Sequence, residues 1–282
     1  MIVSNASGIP APVAPIQITK RMLQSLAPLP ATAVRLLALL QDANVTLRRI
    51  AEVASQDVGI SAAILRMANS PLLGMRGRVG SISEALTLIG TEQARLIVLS
   101  CGVARAGQKE LPLYGLAAGA FMRHSELVAT LTMGIARQHQ YSAVGVAYSA
   151  GLLHDIGKVI LNGKALLEGL ENPKYQGFMR ALGETGSDLP TLELQCFASD
   201  HPSAGRDAAM HWALPPEIGE AIERHHGVID DGEHGLPAFL ALANAVAGTI
   251  DPAYPAAQRA PMPEHPVVPV EPLLVMAAAL LK

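Results

Sequence analysis

Apolar residues recur three and four positions apart through most of residues 21–106, the spacing that lines one face of an α-helix. The stretch 31–41 (ATAVRLLALLQ) follows Pro28 and Pro30, which punctuate its start. Thr46 stands where a side-chain oxygen can accept from the free amides at the start of a helix through LRRIAEVASQ. Asp57 is placed to do the same for VGISAAILRMANS. Ser81 and Glu84 have capping-box spacing. The helix they open stops at Gly90, a residue favoured just past a helix end, and Thr91 then caps EQARLIVLSCGVA. A turn or linker at 106–112 leads to a second helical block that runs to about residue 250. Strand alternation is scarce, and no Asn-Gly hairpin signal occurs. The pattern predicts an all-α protein with a helical lobe over 21–110 and a helical bundle over 111–250.

The ends read differently. Residues 1–20 are rich in Pro, Ser and small residues and predict a flexible arm. Residues 251–272 carry seven prolines and predict an irregular segment. The closing run LLVMAAALL predicts a short helix too apolar to stand free. It packs back on the body or meets a partner, a second copy in a homodimer included.

Composition narrows the function classes. Hydrophobic residues make up 50% and aromatics only 4%, which suits a core of closely packed aliphatic helices. The net charge of −3 shows no basic excess, so nucleic acid is not the expected partner, although the helices flanking Asp57 have helix-turn-helix spacing. Cys101 and Cys196 form no CxxC pair and read as buried fillers in a reducing compartment. No secretory leader and no run of about 18 uncharged apolar residues is evident, so a cytoplasmic protein without a membrane span is expected.

The chemistry-bearing signal lies in the second block. His154 and Asp155 end an apolar run, AGLLHDIGKVIL, and offer a nitrogen and an oxygen ligand from one turn. Gly157 is expected to turn the chain sharply just beyond. A helix starting at His124 and running to about residue 138, followed by a turn and a return leg to His154, has legs of about 21 and 17 Å. An antiparallel pair then levels His124 with His154. Downstream, His201 begins a helix behind Asp200 and ahead of Pro202. Leu214, Pro215 and Pro216 break it, and a second leg of about equal length ends at His225 and His226. His124, His154, Asp155, His201, His225 and His226 therefore form a candidate metal set at helix ends. His139, His211, His234 and His265 fall in turns, mid-helix or loops and carry no expected role. Lys158 either contacts a bound anion or caps a helix C-terminus.

These motifs resemble those of the HD superfamily of metal phosphohydrolases, with His124 as the first histidine and His154–Asp155 as the pair. HDIGK at 154–158, DHPSAG at 200–205 and the double histidine 225–226 are similar to the HD-GYP branch, which degrades cyclic di-GMP. The closer resemblance is to the HDOD family, carried by ILRMANS, SISEAL, VGSISEALTLIGTEQARLIVLS and WALPPEIGEAIERHH over about residues 21–250. It implies an HD-like helical bundle with an added N-terminal helical lobe, in a bacterial signalling module that acts through a protein partner or a nucleotide ligand.

Two departures bear on chemistry. Asn244 stands where the superfamily has its last Asp, and GVIDDGEHG follows the double histidine in place of a GYP motif. Asn offers a dication only a neutral carbonyl oxygen; alternatively it hydrogen-bonds to one of the histidines. The resemblance implies one or two divalent ions (Fe, Mn, Ni or Zn) or none. The main alternative to a non-catalytic module is a metal-dependent phosphohydrolase acting on a nucleotide or cyclic dinucleotide.

Overall fold

A computed structural model describes residues 44–280 apart from 70–77, 107, 185–187, 213, 228–233, 253, 261 and 263–268, together with Thr32, Arg35, Leu36, Leu39 and Asp42. The flexible arm, much of the 31–41 helix and His265 lie outside the described residues.

The predicted caps open the first helices. Thr46 Oγ1 accepts from the amide of Arg49 at 3.3 Å and starts α1 (Leu47–Ala54). Asp57 Oδ1 accepts from Gly59 and Ile60 at 2.9 and 3.1 Å and starts α2 (Val58–Ala68). Ser81 Oγ accepts from Glu84 at 3.2 Å, while Glu84 reaches back to the amide of Gly80, one residue before the expected one. The helix they open, α3 (Ile82–Ala106), is broken at Gly90, whose φ of 80° lies in the left-handed region that glycine adopts without a Cβ penalty.

After a 3₁₀ turn (Pro112–Tyr114) come α4 (Ala120–Gln138), α5 (Val144–Leu153), α6 (Ile156–Glu168), α7 (Pro173–Gly183), α8 (Leu189–Phe197), α9 (His201–His211), α10 (Pro216–Arg224) and α11 (Leu236–Ile250). A second 3₁₀ turn (Ala256–Gln258) precedes α12 (Val270–Leu280). Among the described residues no strand occurs beyond one isolated bridge between Leu111 and Leu116. The architecture of the described residues is all-helical, as the apolar spacing predicts. One expected start moves: α4 begins at Ala120, so His124 sits in its second turn and not at its head.

Two apolar clusters hold the helices. The first joins Leu36, Ile50, Val53, Ile60, Ile64 and Ile97 of the N-terminal helices and reaches Met133 of α4. The second fills the space among α4–α12, with Phe121, Leu131, Leu153, Phe178, Ile222 and Phe239 among its members. Helix α3 feeds both, with Leu96 in one and Ile97 and Val98 in the other. Cys196 is buried as expected, but Cys101 is only partly covered, beside a small cavity between α2 and α4.

The run Val144–Glu168 is long and apolar enough by composition to cross a membrane, yet 89% of its window is buried inside the protein. It is also interrupted between α5 and α6 at His154–Asp155, which makes it a core segment. The closing helix α12 packs back on α11 and α4 through Leu273 and Ala277.

Candidate metal centre

The α4–α5 hairpin and the α9–α10 hairpin meet around the break between α5 and α6. His154 is the last residue of α5's cap and Asp155 the first of α6's. Gly157 does not turn the chain there; it lies inside α6. Its missing side chain admits the backbone of α9, since a Cβ would stand 1.9 Å from the His201 carbonyl oxygen. Asp200 caps α9 by accepting from Ser203 at 2.7 Å, which places His201 at the helix start.

His124, His154, Asp155, His201 and His225 are each 1% exposed or less. Two donor groups form, His124–His154–Asp155 and Asp155–His201–His225–His226, with ligand atoms within 4.8 Å of one another in each. Asp155 belongs to both. His226 is half-buried at the rim, its ring 4.5 Å from that of His225 and 4.9 Å from that of His201. All six sequence-predicted ligands are thus brought together.

The backbone decides which nitrogen each ring presents. His154 Nδ1 donates to the Gly151 carbonyl at 2.7 Å, and His225 Nδ1 donates to the Ile222 carbonyl at 2.5 Å. A carbonyl only accepts, so in the neutral rings both Nε2 atoms are bare lone pairs. His201 Nδ1 faces Glu193 Oε2 at 2.7 Å, and the same oxygen accepts from the His201 amide at 2.8 Å. This is the arrangement in which outer groups hold a ligating imidazole in one tautomer.

Inside, His201 Nε2 and His225 Nε2 are 3.3 Å apart, and Asp155 Oδ1 is 3.3 and 3.5 Å from them. A tetrahedral cation with bonds of about 2.0–2.1 Å spaces its ligands by about 3.3–3.4 Å. His154 Nε2 and Asp155 Oδ1, both fully buried, have no hydrogen-bond partner. Facing lone pairs beside an orphaned carboxylate oxygen need a cation or a proton between them, so the residues fit a bound divalent ion.

Electrostatics follows the burial. Burial, with the repulsion that a protonated His154 ring would add, holds the pKa of His124 well below the usual histidine value. Burial likewise depresses His225 to about 3 and His226 well below normal. At His201 burial works the other way from the carboxylate of Glu193, and on balance its pKa rises. Burial disfavours the Asp155 carboxylate, but attraction to the His154 ring in its protonated form and to the Lys158 ammonium more than offsets it, leaving its pKa well below the normal range.

Asn244, on α11, is 3.1 Å from His124 Nε2 through its carbonyl oxygen, so it restrains that ring. Lys158 lies in the first turn of α6, which removes the C-terminal capping role. Its ammonium is buried and donates to Asp155 Oδ2 at 2.8 Å and to the Tyr254 hydroxyl at 2.5 Å. His139 and His234 sit apart from the centre, 5.3 Å from each other.

Two participants escaped the sequence reading. Glu193 is fully buried and ties His201 to Tyr114, whose hydroxyl donates to Glu193 Oε1 at 2.7 Å. Its signal was an acid on the face of α8 shared by Leu189, Leu192, Cys196 and Phe197. Tyr254 comes from the proline-rich segment, stacks on His124 with centroids 3.7 Å apart and donates its hydroxyl to Asp155 Oδ2. Nothing in its local sequence marks it.

The HDOD domain family model matches residues 26–228. A Treponema pallidum (strain Nichols) protein described as uncharacterised is 25% identical over 228 residues, 77% of this chain but only 40% of that protein's length. Among solved structures, a candidate phosphohydrolase from Shewanella amazonensis SB2B superposes with a TM-score of 0.63 at 22% identity, covering 93% of this chain and 94% of the other. A candidate signal transduction protein from Marinobacter aquaeolei VT8 does so with a TM-score of 0.60 at 21% identity, covering 94% of this chain and 59% of the other. At these identities the likeness establishes the fold.

Proposed function

Because the chain belongs to the HDOD family, we propose that it is a bacterial signal-transduction module. Its His/Asp centre takes up one or two divalent ions, and its message passes by binding a protein partner or a nucleotide without efficient turnover. The observation that carries this reading is the closure of the centre. Asp155 and Lys158 are each 1% exposed; Asp155 Oδ2 and the Lys158 ammonium are tied to one another and to Tyr254, so neither faces an arriving phosphate, while Asp155 Oδ1 stays turned toward His201 and His225.

Asp155, His154, His201, His225 and His226 hold the ion in this reading, with His124 beside them. Such an ion, when bound, supplies Lewis acidity and lowers the pKa of a coordinated water. Glu193 and the Gly151 and Ile222 carbonyls keep the imidazoles in the ligating tautomer. Asn244 orients His124 but adds no charge to the set. The test is the metal content of full-length protein purified without a histidine tag or chelator. One or two equivalents of Fe, Mn, Ni or Zn, lost when His154 and Asp155 are both changed to Ala, is the expected result. Folded protein devoid of metal would sink the reading.

The second reading is a metal-dependent phosphohydrolase acting on a nucleotide or cyclic dinucleotide. Assembly of the full six-residue set favours it, and the Shewanella protein of like fold is described as a candidate phosphohydrolase. Lys158 then contacts the substrate phosphate. Restoring a carboxylate by Asn244→Asp should raise turnover; a variant no faster than the parent on any nucleotide removes this reading's support.

A further inference from the structure

We infer that Tyr254 is a built-in stopper of the His/Asp centre, its hydroxyl holding the place at Lys158 that an oxyanion such as a phosphoryl group takes when the segment withdraws. The hydroxyl lies between an ammonium that donates to it and a carboxylate that accepts from it. The Lys158 contact is the kind a phosphate oxygen satisfies more strongly, because the acceptor is then charged. The ring lies nearly parallel to His124, 14° between planes, and covers that side of the centre. Tyr254 is 1% exposed.

The stopper is not part of a rigid element. Helix α11 ends at Ile250, and the next described regular element is the 3₁₀ turn Ala256–Gln258. Side chains as well as local backbone turns hold the described residues of the segment. Gln258 Nε2 donates to the Tyr114 carbonyl at 2.6 Å, and Arg259 Nη2 donates to the Tyr254 carbonyl at 3.3 Å. Asp251 Oδ1 is 3.6 Å from Arg123 Nε, on a side chain 46% exposed. Withdrawal therefore breaks these contacts and takes Tyr254 and Gln258 out of the core, while α4, α5, α9 and α10, which build the centre, lie outside the segment. Gln258 ties the stopper to Tyr114, and Tyr114 to Glu193 and His201, so movement of the segment and alignment of His201 are physically linked.

The inference rests on the reading of the centre as a ligand pocket, but access to it is measurable with no metal present. Metal-free full-length protein is treated with diethyl pyrocarbonate, and labelling of His124 is followed by peptide mass spectrometry, with exposed His211 as the internal rate standard. Alkylation of buried Cys196 reports general loosening. Tyr254→Ala should label His124 at least about tenfold faster than the parent, while Cys196 stays protected. Gln258→Ala, which loosens the anchor without touching the pocket, should shift labelling in the same direction by less. Millimolar inorganic phosphate should slow His124 labelling in Tyr254→Ala and not in the parent. Unchanged His124 labelling in Tyr254→Ala overturns the stopper. So does exposure of Cys196 in parallel, since Tyr254 is then only a core residue. Indifference to phosphate overturns the oxyanion assignment. Gated labelling in a protein that already purifies without metal would leave the stopper standing while the metal reading falls.

Discussion

Tyr254 and Asp155 are 99 residues apart in the chain and share a hydrogen bond in the core, phenol to carboxylate. The bond closes a circuit in which Lys158 donates to both. The carboxylate shared by the two candidate metal-ligand groups is thereby also hydrogen-bonded to the segment that stacks over them.

That circuit makes Lys158 a stability determinant. Lys158→Met leaves the Asp155 carboxylate buried without its cation, and removal of one partner of a buried pair costs about 3–5 kcal/mol. Pairing it with Asp155→Asn should recover much of the loss. Urea unfolding of both single variants and the double in a mutant cycle checks this; additive losses would mean that the two groups act independently.

Gly157 and Gly163 lie on the same helix and should respond oppositely to alanine. At Gly157 the new Cβ meets backbone of His201, which cannot swing away, so Gly157→Ala should cost at least the 1–3 kcal/mol typical of overpacking, roughly, and weaken metal uptake. At Gly163 nothing lies within 4 Å, so Gly163→Ala should be neutral or stabilising by up to about 1 kcal/mol. Chemical denaturation of the pair decides; equal effects would mean the α6–α9 approach is not tight.

Glu193 should act on the metal without touching it. Glu193→Gln removes the negative charge facing His201; its carbonyl oxygen can still accept from the His201 amide and Nδ1, but its amide nitrogen then donates to the Tyr114 hydroxyl, which has to reverse from donor to acceptor. Loss of such an outer partner typically weakens metal affinity about 10–100-fold. Competition with a chromophoric chelator measures it, and an unchanged affinity would show that His201 is not a ligand.

Acid should destabilise the metal-free protein well before its carboxylates titrate. Burial keeps His124, His225 and His226 neutral in the folded state, His225 down to about pH 3. Below about pH 6.5 the unfolded chain binds protons that the folded chain refuses, so stability falls as pH falls, by about 1.4 kcal/mol per unit for each proton. His201 runs the other way. Its folded pKa is raised, so its contribution is fully present below the unfolded value and lost as pH rises through the folded one; it opposes the others only above about pH 6.5 and adds no slope below it. Asp155, with its depressed pKa, contributes only where an unfolded Asp begins to protonate, near about pH 4. Urea midpoints with chelator present should therefore drop between about pH 7 and pH 5. Midpoints flat across that window would mean that the buried rings are already charged or that the centre opens.

What the sequence determined by itself was whatever is written locally. The period of the apolar residues made the fold helical. Thr46, Asp57, Ser81, Gly90 and Asp200 mark element ends because caps and left-handed turns are satisfied within a few residues. Hairpin arithmetic placed His124 with His154, and His201 with His225 and His226, at matching heights, because helical rise is constant. Direction around each axis is not local, and only packing settled it. The approach of α9 to Gly157 turned His201 inward, and the Gly151 and Ile222 carbonyls and the Glu193 carboxylate selected which nitrogen each ring presents. The proline-rich segment shows the limit most sharply. No periodicity marks Tyr254, yet it covers the centre, because its position depends on contacts with Asp155, Lys158 and His124 that lie about 100 residues and more away along the chain and meet only when the two hairpins are assembled.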